Sequence, residues 1–227
     1  MQPDKAQSPS VSESLSARFT LSFGLMATIW IVGLAGHFTV LKEWPALCIY
    51  VLGSIGLVLY MGKQNGEWEK MYLSGGNLRK SLVWGVIAGT LLLIMAMMNT
   101  VNMMKQPNGA AMMSGMQYLL VNRSLLYLYP ILVIAEEFLW RGIMLSAMIE
   151  KGFNKHLSVL LTTLFFLLNH FAVAPVNIME RAMMAMMAFP LGIIGGYIVV
   201  NTRSVWGSVL VHMIVMTSMI AAIQIIL

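Results

Sequence analysis

The sequence predicts an all-α fold, a polytopic transmembrane helical bundle of about seven spans. Three observations carry that expectation. Of the 227 residues, 59% are hydrophobic and 10% charged, whereas a soluble domain carries about 25% charged residues. Apolar runs near the roughly 20 residues that cross a bilayer recur along nearly the whole chain. These runs lack the alternation of barrel strands, and lipid cannot satisfy open backbone polar groups, so helices are the spanning option.

The first span, Arg18 to Val40, follows a polar tail over residues 1–17. That tail is neither basic nor closed by a small-residue cleavage site, so the helix is expected to be retained rather than removed as a signal peptide. The second, Trp44 to Met61, holds the single cysteine, Cys48, which leaves no internal disulfide and no cysteine-based metal site. Cys48 is expected to be buried as a small apolar filler. The polar connection from Gly62 to Ser81 is rich in turn residues, and Trp68 and Tyr72 are expected at headgroup level. The third span, Leu82 to Met104, leads into a second polar connection, Lys105 to Gln117. The remaining spans are Ser124 to Met148, Leu157 to Val173, Met183 to Val200 and Val205 to Leu227. No internal repeat and no pair of interrupted helices is visible, so residues 18–227 are read as one bundle.

Orientation follows Lys and Arg in short connections. Lys5, Arg18, Lys63, Lys70, Arg79, Lys80, Lys151, Lys155 and Arg203 fall on the amino-terminal side and outnumber Lys42, Lys105, Arg123 and Arg181 opposite. A cytoplasmic amino terminus in the plasma (inner) membrane is expected. The net charge of +5 is absorbed by that bias, and without a basic stripe interleaved with aromatics nucleic acid is not an expected partner. The 22 methionines are read as flexible apolar filler rather than soft-metal ligands, since their clusters lack nearby His or Cys.

Chemistry concentrates in "IAEEFLWRG", Ile134 to Gly142. An ionisable side chain inside a span costs a few kcal/mol and usually faces a partner or a wet cavity. Glu137 and Arg141 stand four apart, the spacing at which helical neighbours meet and a carboxylate pairs with a guanidinium. Glu136 points about 100 degrees away, which leaves it free for acid–base work. A purely structural ion pair accounts for Arg141 and one glutamate and leaves the other unexplained. Two histidines, His170 in "FFLLNHF" and His212 in "GSVLVHMIV", lie in later spans, whereas His37 and His156 lie near helix ends and need no function. A carboxylate and two imidazoles converging from three helices activate a water directly, or hold a zinc ion that does so; these residues leave both open.

These stretches resemble a known family. "EEFLWR" matches EExxxR, "FLLNH" matches FxxxH, and "PLGIIGGYIVVNTRSVWGSVLVHM" is similar to a third segment ending in histidine. The family is the CPBP group of CAAX proteases and bacteriocin-processing enzymes, also called Abi, and the resemblance covers about residues 124–216. It implies an intramembrane endopeptidase acting on a peptide or protein substrate at the bilayer, such as a prenylated or leader-bearing peptide or a maturing surface protein. By position, Glu136 would activate water with His170, Glu137 and Arg141 would brace the site, and His212 would position the water or stabilise the oxyanion. The family's third motif reads HxxxN, but here Met216 occupies the amide position, and a thioether donates no hydrogen bond. Ser208, Thr217 and Asn169 are the candidate replacement donors. The alternative class is a non-catalytic membrane protein, an immunity or scaffold protein or a proton-coupled carrier, that has kept the Glu and His cluster. The helical depths conflict as well: His170 falls near the far end of its span and His212 near the start of its own.

Overall fold

The protein is seen in a computed structural model that describes residues 11–74, 76–105, 114–123 and 125–226. The helices are α1 (Val11–Gly36), α2 (Trp44–Asn65), α3 (Leu78–Met104) and a short α4 (Ser114–Gln117) that runs into a wide turn, Tyr118–Asn122. They continue with α5, built from Tyr129–Glu137, a π-helical stretch Phe138–Leu145 and Ser146–Glu150, then α6 (Lys155–Val173), α7 (Ile178–Thr202) and α8 (Trp206–Ile226). The described residues are helical without strands. Stretches of α1, α2, α3, α6 and α7 are long and apolar enough to cross a membrane, and α8 carries a shorter apolar run, Trp206–Thr217. With α5 as the central span, the chain is an integral membrane protein whose architecture agrees with the all-α, roughly seven-span expectation.

Boundaries differ from the hydropathy reading where local chemistry overrides it. Helix α1 starts at Val11, inside the stretch read as a polar tail; residues 1–10 lie outside the described residues. Helix α5 starts at Tyr129 rather than at 124, because Pro130 sits in its first turn, where a missing N–H removes no helical bond. Helix α7 starts at Ile178: the Asn177 side chain accepts from the Glu180 amide, and the Glu180 carboxylate accepts from the Asn177 amide. That reciprocal cap satisfies two donors that would otherwise be orphaned. Part of the connection read from Lys105 to Gln117, residues 106–113, lies outside the described residues.

Helix α5 is the hub. From Leu139 to Met148 every side chain is buried, as expected of a helix apolar on all sides, and it packs against α1, α2, α6, α7 and α8. The outer helices turn large apolar side chains such as Ile31, Leu52 and Leu91 outward, where lipid is the natural solvent. Cys48 also faces outward on α2, contrary to its expected burial as filler, because Ala46 and Tyr50 occupy the inward face of that turn. The connection after α2 folds back onto the bundle around Met71 and Tyr72. Tyr72 is buried, its carbonyl accepts from the Val205 amide, and the Leu73 carbonyl accepts from Trp206 Nε1. The segment thus packs against the start of α8.

Two polar clamps close the bundle. At one end buried Arg18 of α1 pairs with Glu150 of α5 and lies 3.8 Å from Glu67. At the other, Arg181 of α7 reaches Glu43, His37 and the Phe171 carbonyl, joining α7 to the α1–α2 connection. His37 therefore serves packing, as its position near a helix end suggested. His156 does likewise, with Nδ1 2.6 Å from the Tyr197 hydroxyl.

Candidate active site

The site forms where α5, α6 and α8 meet. Glu136 and Glu137 end the α-helical part of α5, and Arg141 follows inside the π-helical stretch. π-helical stretches are frequent at functional sites. Only Nε of Arg141 approaches Glu137, at 3.5 Å from Oε2, and Nη1 and Nη2 find no hydrogen-bond partner among the described residues. The guanidinium instead lies over the Phe166 ring, 4.7 Å from its centroid, a cation–π contact strengthened by the burial of both groups.

Helix α8 completes the carboxylate shell. His212 Nδ1 lies 2.9 Å from Glu137 Oε1, and Ser208 Oγ donates to Glu137 Oε2 at 2.6 Å. Ser208 and His212 are one turn apart, so both reach the same carboxylate. The approach depends on Gly195 of α7, where a Cβ would collide with Ser208 Oγ. Across the ring, His212 Nε2 lies 3.5 Å from Glu136 Oε2. A proton on Nδ1, held by Glu137, leaves Nε2 directed at Glu136. Glu137 is fully buried, and Glu136 and His212 nearly so. The Tyr50 hydroxyl, which accepts from Trp140 Nε1, stands within hydrogen-bonding reach of Glu136.

His170 enters from α6 and is half-buried. Its Nδ1 donates to the Phe166 carbonyl at 2.9 Å, which fixes the tautomer and leaves Nε2 with a lone pair to accept a proton. The Phe166 ring packs edge-on against both imidazoles, with centroids 4.9 Å from His170 and 5.8 Å from His212. Phe166, one turn before His170, contacts both rings, so the two histidines approach one another despite the depths expected from their spans. The structure thus brings Glu136, Glu137, Arg141 and His212 into one contact network. It sets His170 beside them across Phe166, in the same cleft as His212.

That cleft has a volume of about 330 Å³ and is walled by α3, α4, α6, α7 and α8, within the range of small ligand pockets. His170 and His212 line it together with Met116, Met183, Met187 and Met216. The methionines read as filler therefore form its walls. Two of the donors proposed to replace the missing amide are occupied: Ser208 donates to Glu137 and Thr217 to the Met213 carbonyl. Asn169 engages its Oδ1, accepting from Trp30 Nε1.

Among the described residues no three His, Cys, Asp or Glu side chains converge closely enough to hold an ion. Both His212 nitrogens are directed at carboxylates. The arrangement does not fit a zinc centre.

With this geometry in place, residues 119–218 match the family described as type II CAAX prenyl endopeptidase Rce1-like. The matched family is the CPBP family. The matching segment holds Glu136, Glu137, Arg141, His170, Ser208 and His212, whereas α1, α2 and α3 lie outside it. The family is one of membrane proteases. No curated protein and no solved structure matches the chain.

Proposed function

We propose that the chain is an intramembrane endopeptidase that hydrolyses a peptide bond in or near the bilayer, with Glu136 as general base. The observation that carries this reading is the buried Glu136–His212–Glu137 network, whose His212 lines a cleft shared with His170. Such an arrangement gains little for packing, since a buried charge network is often replaceable by apolar residues of equal volume. For hydrolysis it supplies each group the reaction needs.

A water in the cleft, bonded to Glu136 and to His170 Nε2, loses a proton to Glu136 as its oxygen attacks the peptide carbonyl carbon. The resulting oxyanion lies beside the cleft wall formed by His212. On collapse the C–N bond breaks, and Glu136 passes the proton to the departing amine. Glu137, braced by Arg141, Ser208 and His212, acts through orientation: it holds the His212 ring and balances the guanidinium charge. The Lys and Arg distribution supports a cytoplasmic amino terminus, and the plasma (inner) membrane is the membrane proposed. A prenylated peptide is the substrate class favoured by the description of the matching family.

The test uses full-length protein in lipid vesicles with a quenched fluorogenic farnesylated CAAX peptide. Cleavage is expected, and it is expected to persist after treatment with 1,10-phenanthroline, because the donors present do not form a metal cage. Complete and metal-reversible loss would contradict the glutamate mechanism. An intact peptide together with pH-dependent solute flux across the vesicles would favour the carrier reading instead. Restoring the family's amide by Met216→Asn should raise kcat by about tenfold or more, since a missing oxyanion donor costs about 10²–10³. Steady-state rates of the two proteins check this.

A further inference from the structure

Asn99 lies on α3, outside the matching segment, and lines the cleft together with Ala96 and Thr100 of the same helix face. We infer that Asn99 hydrogen-bonds the backbone of the substrate peptide and positions it for attack, an inference that rests on the proteolytic reading.

Four polar side chains line this cleft: Asn99, Thr100, His170 and His212. Three of them are engaged. The Thr100 hydroxyl donates to the Ala96 carbonyl at 2.9 Å, His170 Nδ1 to the Phe166 carbonyl, and His212 faces two carboxylates. Asn99 makes no hydrogen bond among the described residues, and its side chain is exposed at the cleft rim.

A peptide drawn into such a cleft leaves water, and each backbone N–H or C=O it buries unpaired costs on the order of 1–3 kcal/mol. The remaining walls are Met, Ala, Leu, Val and Phe, which supply no strong partner. A carboxamide offers two donors and one acceptor, so it pairs with the N–H and the C=O of one extended peptide unit at once. Thioethers around it adapt to varied apolar side chains. One fixed polar contact in a pliable wall would therefore hold the peptide's register while tolerating different sequences.

Two assays with the same farnesylated CAAX peptide decide it. In the cleavage assay Asn99→Leu should raise KM about tenfold with kcat within twofold of wild type, and Asn99→Gln, which keeps the amide, should stay within about threefold in KM. Equilibrium binding is measured by peptide fluorescence anisotropy in nanodiscs on Glu136→Gln and on the Glu136→Gln/Asn99→Leu double variant; the second should bind about tenfold more weakly. An asparagine that merely meets water at the membrane surface would move neither KM nor Kd. Equal Kd values, or an Asn99→Gln as impaired as Asn99→Leu, would overturn the assignment. If wild type fails to cut while the Kd difference is present, proteolysis falls and the Asn99 contact stands; cleavage with Asn99→Leu at wild-type KM has the reverse meaning.

Discussion

Glu136→Gln is expected to lower the cleavage rate by about a thousandfold, within the 10²–10⁴ that a positioned general base contributes, while the protein inserts and folds as before. The amide keeps the size of the carboxyl and its hydrogen-bonding reach toward His212 and Tyr50 but takes up no proton. Glu136 is not the partner of Arg141, so neutralising it strands no cation: Arg141 keeps its contact with Glu137 and its place over Phe166. Initial rates on the farnesylated peptide give the loss, and an unchanged melting temperature in detergent shows that the loss is chemical. A variant that cuts at the wild-type rate would remove Glu136 from the mechanism.

Arg141→Leu should act on stability. The guanidinium is buried against fully buried Glu137 and the Phe166 ring. Its removal leaves a carboxylate whose other partners are the neutral Ser208 hydroxyl and the His212 ring. Breaking a buried pair from one side costs about 3–5 kcal/mol, which for a chain of this size is a fall in melting temperature on the order of 10 °C. Activity should fall as well, because a Glu137 that must find a new proton or partner no longer holds the Nδ1 proton of His212. Glu137→Gln combined with Arg141→Leu should regain part of the lost stability, since the double variant buries no net charge. Thermal unfolding of the three proteins reads this directly, and a double variant less stable than Arg141→Leu would contradict the pairing.

Much of this was legible in the residues. Charge scarcity and apolar runs announced the helical bundle, and the one-turn spacing of Glu137 and Arg141 announced their contact. What the hydropathy pattern missed were signals of another kind. Pro130 and the Asn177–Glu180 cap mark helix starts that apolarity blurs. The π-helical stretch that follows Glu137 has no signature in a 3.6-residue period. Ser208 was noted as a spare donor, yet its spacing from His212 already placed both on one face toward a common acceptor, and it binds Glu137 instead. Tyr50 lies in an unrelated span, and only packing brings it to Glu136. The cleft is likewise a property of five helices together, so neither its methionine walls nor the place of Asn99 could be read from one segment.

The most direct measurement is the mass spectrum of the farnesylated peptide after incubation with the purified, vesicle-reconstituted protein, with Glu136→Gln run beside it. The wild-type sample should contain two fragments whose masses add up to the peptide plus one water, and the Glu136→Gln sample should contain the peptide uncut. Intact peptide in both, or the same fragments in both, would contradict hydrolysis by this carboxylate.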